Sequence, residues 1–208
     1  MSMDLTVPLP IYYNTQMFAH SYHKQVRFTM DIAILIWIQE NLRADWLMPA
    51  VQASNASGHY GAFWLVLALA LSLRKATRQH GMLILSSLLF CGGIAAVLKH
   101  LVMRPRPFLT HPELLPLGQL PHSFSFPSGH TVCAFAAAFI LWRICRGWYR
   151  YLGLGLAAFM AFSRLYVGVH YPSDILGGIG IAALGSAAIW HCRNKLLRYT
   201  GISRHLSE

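Results

Sequence analysis

The sequence predicts an all-α fold, a polytopic bundle of membrane helices. Three observations carry this expectation. Of 208 residues, 55% are hydrophobic and only 12% charged, whereas soluble domains carry about 25% charged residues; mean hydropathy is +0.44. Apolar residues gather in five strong runs, each approaching the ~20 residues that cross a bilayer once polar ends are included. Small residues recur inside these runs: Gly92, Gly93, Ala95 and Ala96, then Gly153 and Gly155, then Gly177, Gly178, Gly180 and Gly185. That pattern suits close helix–helix packing in lipid.

In chain order, residues 1–27 are mixed and rich in Tyr, His and Gln, and read as a surface arm. They lack the basic region, apolar core and small-residue site of a cleavable signal peptide. Residues 28–208 form one membrane domain. Its first apolar run, 28–42, is bracketed by Asp31 and Glu40, which favours a helix lying in the interface over the alternative, a genuine first span. Residues 43–58, polar and small with Pro49 and Gly58, read as a connector. The five strong spans follow at 59–73, 81–103, 128–146, 148–168 and 174–192. Turns 74–80 and 147–150 are brief and basic, but 104–127 is a long loop containing Pro105, Pro107, Pro112, Pro116 and Pro121. A loop of that length in a small domain points to function.

Charge sets the orientation. If the five spans alternate, Arg74, Lys75, Arg78, Arg143, Arg146, Arg150, Arg193, Lys195, Arg198 and Arg204 share one side, which the positive-inside rule makes cytoplasmic. Lys99, Arg104, Arg106 and Arg164 fall on the other, outward side. The net charge of +10 therefore fits a membrane surface and a phosphate-bearing ligand. No extended soluble basic patch suggests nucleic acid.

Three clusters meet on that outer face: Lys99 with Arg104-Pro105-Arg106-Pro107; Pro127-Ser128-Gly129-His130; and Ser163-Arg164 with His170 and Asp174. Lys99 and Arg164 are costly in hydrocarbon unless they line a polar cavity. Arg106 offers a planar fork for phosphate oxygens, and Arg104 is expected to stand behind it. Pro127 pre-sets a helix start, where Ser128 and the Gly129 backbone can donate to an anion. Lys99, Arg106 and Arg164 together would neutralise a phosphoryl group, the main lever in its transfer. Asp174, four residues after His170, can fix the imidazole tautomer and leave the other nitrogen as nucleophile. His130 would protonate the leaving oxygen and then activate water against the phosphohistidine.

A metal centre is the rival reading, since His130, His170 and Asp174 are possible ligands. Metal phosphatases need several carboxylates or histidines around their cations, and this chain has only seven acidic residues, with Asp174 alone in the clusters. Chemistry without metal or other cofactor is therefore expected. Cys91, Cys133, Cys145 and Cys192 lie far apart, with neither a disulfide nor a zinc spacing, and read as packing residues.

The three clusters, in this order and spacing, resemble the signature of the type 2 phosphatidic acid phosphatase superfamily, over residues of about 60 to 192. The resemblance implies a helical bundle, the phosphohistidine mechanism and independence of metal. It implies His170 as nucleophile, His130 as acid and Asp174 as orienting carboxylate, with Lys99, Arg106, Ser128, Gly129 and Arg164 on the phosphate. The apolar spans are similar to the bacterial membrane branch, and the stretch from Ser163 to Asp174 resembles the small undecaprenyl-diphosphatases. Gly129 stands where many of those carry Asp.

The expected function is hydrolysis of a terminal phosphate from a membrane lipid, on the outer side of a bacterial inner membrane. Undecaprenyl diphosphate is the leading substrate. The alternatives are a phosphatidylglycerol phosphate or phosphatidate phosphatase, a lipid phosphotransferase, and a non-catalytic phospholipid binder, the last disfavoured by the His170–Asp174 pair. Nothing in the sequence sets an oligomeric state.

Overall fold

Long apolar runs with few internal prolines leave the backbone one way to satisfy its polar groups without water, the helix. The computed structural model describes residues 30–58 and 61–199, and every regular element among them is helical. The elements are α1 (Met30–Asn41), a 3₁₀ turn (Asp45–Leu47), α2 (Met48–Ser57), α3 (Ala62–Leu73), α4 (Arg78–Val102), α5 (Pro107–Thr110), α6 (Gly129–Ile144), α7 (Tyr149–Tyr166), α8 (Pro172–His191) and α9 (Arg193–Tyr199). The N-terminal arm expected at 1–27 lies outside the described residues.

Helix α6 is the axis of the bundle, packed against α4, α7 and α8. Its Ala134, Ala136, Ala137 and Ala138 are fully buried, and small side chains there let the neighbouring backbones come close. The expected role of the glycines holds at some positions only. A methyl group added to Gly185 would meet the Cys91 sulfur at 2.4 Å, and one added to Gly177 would meet the Phe126 ring at the same distance. Gly92 and Gly93, by contrast, face open space. Polar side chains also pin the helices: Ser87 donates to the Ala136 carbonyl at 3.0 Å, and the Trp64 indole to the Met160 sulfur at 3.2 Å. All four cysteines are free.

The five runs are all helices, but they differ in their fitness to span. Among the described residues, two helical stretches, Arg78–Thr110 and Pro172–His191, are long and apolar enough to cross a membrane. A third span arises if Asp45–Ser57 and Ala62–Leu73, bent by 59°, act as one broken span. Helix α6 has only 16 residues, and α7 carries Arg150, Ser163 and Arg164 among its apolar positions.

The segment before the first strong run departs from expectation. Residues 43–58 are a folded unit rather than a connector, because Pro49 sits in the first turn of α2, where its missing N–H is harmless. Ala50, Ala53 and Ala56 then favour the helix. Helix α1 turns Ile32 and Leu35 onto Leu114 and Tyr171, and Ile38 onto Val51 and Tyr166. Met30, Ile34 and Trp37 remain on its exposed side. Both short helices thereby pack on the end of the bundle that carries the three clusters.

Candidate active site

Four helix ends meet at that end: the C-termini of α4 and α7 and the N-termini of α6 and α8. Helix α4 stops at Met103, which takes a left-handed φ of 48°, and Arg104 precedes Pro105, which disfavours further helix. The chain then runs out through α5 and returns along 123–128. Three contacts hold that return in place. The Ser125 N–H donates to the Arg104 carbonyl at 2.8 Å. Lys99 Nζ donates to the carbonyls of Phe124 and Pro127 at 2.7 and 3.1 Å. Arg106 Nε donates to the Ser123 carbonyl at 2.7 Å.

His170 sits in the turn between α7 and α8, 2% exposed. Its Nε2 lies 3.2 Å from Arg106 Nη1. A guanidinium only donates, so Nε2 accepts and the ring proton is on Nδ1, which faces Asp174 Oδ2 at 3.4 Å. Burial holds the imidazole well below its usual 6.5; Asp174 opposes that shift, and Arg106 and Arg164 add to it. The ring is therefore neutral at neutral pH, with its lone pair on Nε2.

Asp174 is fully buried and fully engaged. Its Oδ2 also accepts from Ser125 Oγ at 2.5 Å and from the Tyr171 N–H at 2.9 Å, so one carboxylate caps α8 and aims the histidine. Its Oδ1 accepts from Arg104 Nη1 at 2.8 Å. Arg104 thus stands behind the expected phosphate binders, and lies over the Tyr171 ring at 3.8 Å.

Arg106 and Arg164 are 2% and 6% exposed. Arg106 spends its donors on Val169 and Ser123 carbonyls and on His170. Arg164 Nη1 donates to Asn55 Oδ1 at 2.5 Å, and its Nε is a buried donor without a partner among the described residues. Among the described residues, four cations, Lys99, Arg104, Arg106 and Arg164, face two carboxylates, Asp31 and Asp174. Buried positive charge in excess is unfavourable alone and is offset by an anion of about two charges, which a phosphate monoester supplies at neutral pH.

Ser128 precedes α6 and is fully buried, its Oγ accepting from Thr131 Oγ1 at 3.0 Å and its N–H donating to the Asp174 carbonyl at 3.3 Å. Gly129 opens α6, and a side chain there would meet nothing within 4 Å. The His130 ring lies over Gly58, where a methyl group would meet its Cδ2 at 2.4 Å, and its Nε2 is 3.3 Å from the Asn55 carbonyl.

Every candidate site residue, from Lys99 to Asp174, is therefore at this end of the bundle. The structure adds four others. Asn55 touches His130 with its backbone, and Arg164 and Ser163 with its side chain. Ser125 and Ser173 hydrogen-bond around Asp174 and Arg104. Asp31 pairs with Arg104 Nη2 at 2.9 Å and accepts the Ser173 N–H at 2.9 Å. Asp31 alone had a sequence signal, as a carboxylate in an apolar run. His111 pairs with Glu113 at 3.2 Å. Phe126 packs on Gly177, and Phe108 joins the cluster around Val51 and Tyr166. Among the described residues, no three His, Cys, Asp or Glu side chains are grouped as metal ligands would be.

A family model described as the PAP2 superfamily matches residues 80–198. The chain is 30% identical over 165 residues to a decaprenylphosphoryl-5-phosphoribose phosphatase of Mycobacterium tuberculosis, covering 76% of this chain and 88% of that protein. It is 32% identical over 116 residues to an undecaprenyl-diphosphatase of Sulfolobus acidocaldarius, covering 55% of this chain and 56% of that one. The fold is similar to the first transmembrane PAP2 type phosphatidylglycerolphosphate phosphatase from Bacillus subtilis, with TM-score 0.63 and 24% identity, over 88% of this chain and 94% of that chain.

Proposed function

The chain belongs to the PAP2 superfamily and is a membrane lipid phosphatase; from that premise we propose that it removes a terminal phosphate through a phosphohistidine on His170. His170 Nε2 attacks phosphorus as the bond to the leaving oxygen breaks. His130 gives that oxygen a proton. Water, losing a proton to His130, then attacks the phosphohistidine, releasing inorganic phosphate and neutral His170. Asp174 takes the Nδ1 hydrogen bond and steadies the ring as charge develops on it. Lys99, Arg106 and Arg164, with Ser128 and the Gly129 backbone, hold the non-bridging oxygens. These cations and backbone donors supply the charge that a metal would otherwise bring, so the reaction proceeds without one.

The observation that carries this reading is the buried His170–Asp174 pair set against the buried guanidinium of Arg106, 3.2 Å from His170 Nε2. A site for capture alone has no use for an oriented, neutral histidine.

Undecaprenyl diphosphate is the substrate we favour, giving undecaprenyl phosphate. The support is that relatives of 30% and 32% identity are named for polyprenyl-linked phosphates. Phosphatidylglycerol phosphate or phosphatidate is the second reading, favoured by the fold likeness to a phosphatidylglycerolphosphate phosphatase. Transfer to a lipid hydroxyl in place of water is the third. The basic turns at Arg74–Arg78 and Arg143–Arg150 support a five-span arrangement in an inner membrane, with the site outward.

The test is phosphate release by purified protein in EDTA, with the three lipid phosphates compared head to head. His170→Ala should abolish release without unfolding the protein. Full activity in that variant, or loss of activity in EDTA, would overturn the mechanism. Preferential transfer to an added lipid acceptor would identify the transferase.

A further inference from the structure

We propose that Asp31, on α1 and outside the stretch matched by the family model, is a positioning residue for His170, acting through Arg104 and Asp174. This rests on the phosphohistidine reading above. The chain of contacts is continuous. Asp31 Oδ2 takes Arg104 Nη2 at 2.9 Å, Arg104 Nη1 reaches Asp174 Oδ1 at 2.8 Å, and Asp174 Oδ2 faces His170 Nδ1 at 3.4 Å. A second strand runs in parallel. Asp31 accepts the N–H and the hydroxyl of Ser173, and Ser173 Oγ is 2.7 Å from Arg104 Nη1. Asp31 thus grips both the arginine and the residue before Asp174.

The electrostatics give this grip a purpose. A guanidinium on Asp174 draws the carboxylate's charge away from the histidine. Unopposed, it would weaken the acceptor on which the developing imidazolium depends. Asp31 offsets that charge from the far side, so Arg104 fixes the geometry of Asp174 without depleting it. The other charged groups around His170 are Arg106, before α5, and Arg164 of α7. Lys99 of α4 acts on Arg106 and Asp174, and α6 contributes His130. Among the described residues, none of these provides a second carboxylate.

The plain alternative is that Asp31 only staples α1 to the bundle. ¹⁵N-histidine-labelled protein in detergent separates the two by an NMR titration of His170, alongside kcat and KM. Asp31→Asn removes a negative charge, so the His170 midpoint moves to lower pH, kcat falls and KM changes little. Groups one step behind a site residue are worth about 10- to 100-fold at metal centres, and a loss of that order is expected here. Arg104→Gln moves the midpoint the opposite way, and in that background Asp31→Asn shifts it by less. Asp31→Glu restores the midpoint and most of kcat. A midpoint that stays put in Asp31→Asn, or in Arg104→Gln should Asp31→Asn not fold, overturns the proposal. Because the titration needs no turnover, it decides the matter even if the wild-type protein hydrolyses none of the three lipid phosphates, the result that would instead defeat the functional reading.

Discussion

Arg106 Nη1 lies 3.2 Å from His170 Nε2, the nitrogen proposed to attack phosphorus. The same guanidinium holds the Val169 and Ser123 carbonyls, so its fork is fixed before any phosphate arrives. Lysine keeps the charge but not the fork. Arg106→Lys is therefore expected to lower kcat/KM by about 10²- to 10³-fold, the cost of losing one preorganised donor. Steady-state phosphate release measures it. A loss confined to KM would mean that Arg106 serves binding alone.

His170 makes acid stability predictable. Burial keeps its folded-state pKa well below 6.5, while in the unfolded chain it protonates near about 6.5. Between these values the unfolded state binds the extra proton, so stability falls as pH drops below about 6.5, by up to about 1.4 kcal/mol per pH unit. His170→Gln removes that proton from the balance and should flatten the slope. Thermal melting in detergent between pH 7.5 and 5 checks it. The same neutral ring should keep the enzyme active below pH 6.5.

The gathering of the motif residues at one end of the bundle was legible because Lys99 and Arg164 are charges in apolar runs, and His170 and Asp174 are spaced to cap and pair. The polytopic bundle was legible from composition. Asn55 and Ser125 were not, since a small polar residue among Ala53, Ser54 and Ala56, or in a loop, carries no periodic or charge signal. Residues 43–58 misled because polar composition resembles a linker. Alanine propensity and a proline in the first turn nevertheless made them helix, and packing on α7 gave that helix a place.

Asn55 joins the second and third motifs by contacting His130, Ser163 and Arg164. Asn55→Ala would strip a buried guanidinium of its described side-chain acceptor, destabilising the protein by about 1–3 kcal/mol. Asn55→Asp should act differently. It pairs with Arg164 and so competes with phosphate, which predicts a fold at least as stable and a weaker grip on orthovanadate as a phosphate mimic. Melting and inhibition curves on the two variants distinguish these effects. Equal vanadate inhibition of Asn55→Asp and wild type would detach Arg164 from phosphate binding.

Gly129 has no atom within 4 Å of the position a side chain would take, so Gly129→Asp should fold normally. An added carboxylate at the start of α6 subtracts one charge from a site whose cations outnumber its carboxylates. KM for a monophosphate dianion should rise about tenfold, the equivalent of about 1.4 kcal/mol. An unchanged KM would place the phosphate away from the start of α6.

Gly58 tests His130 without removing it. A methyl group there would meet His130 Cδ2 at 2.4 Å, so Gly58→Ala must displace the ring or α2. General acid catalysis is worth about 10²- to 10⁴-fold when the leaving oxygen needs a proton, and little when it departs as a stable anion. Gly58→Ala should therefore slow phosphohistidine formation from phosphatidate, whose leaving group is an alkoxide, far more than from p-nitrophenyl phosphate. Pre-steady-state bursts isolate that first step from the hydrolysis that follows. Equal slowing of both substrates would show that the ring's position matters for holding phosphate rather than for protonating the leaving group.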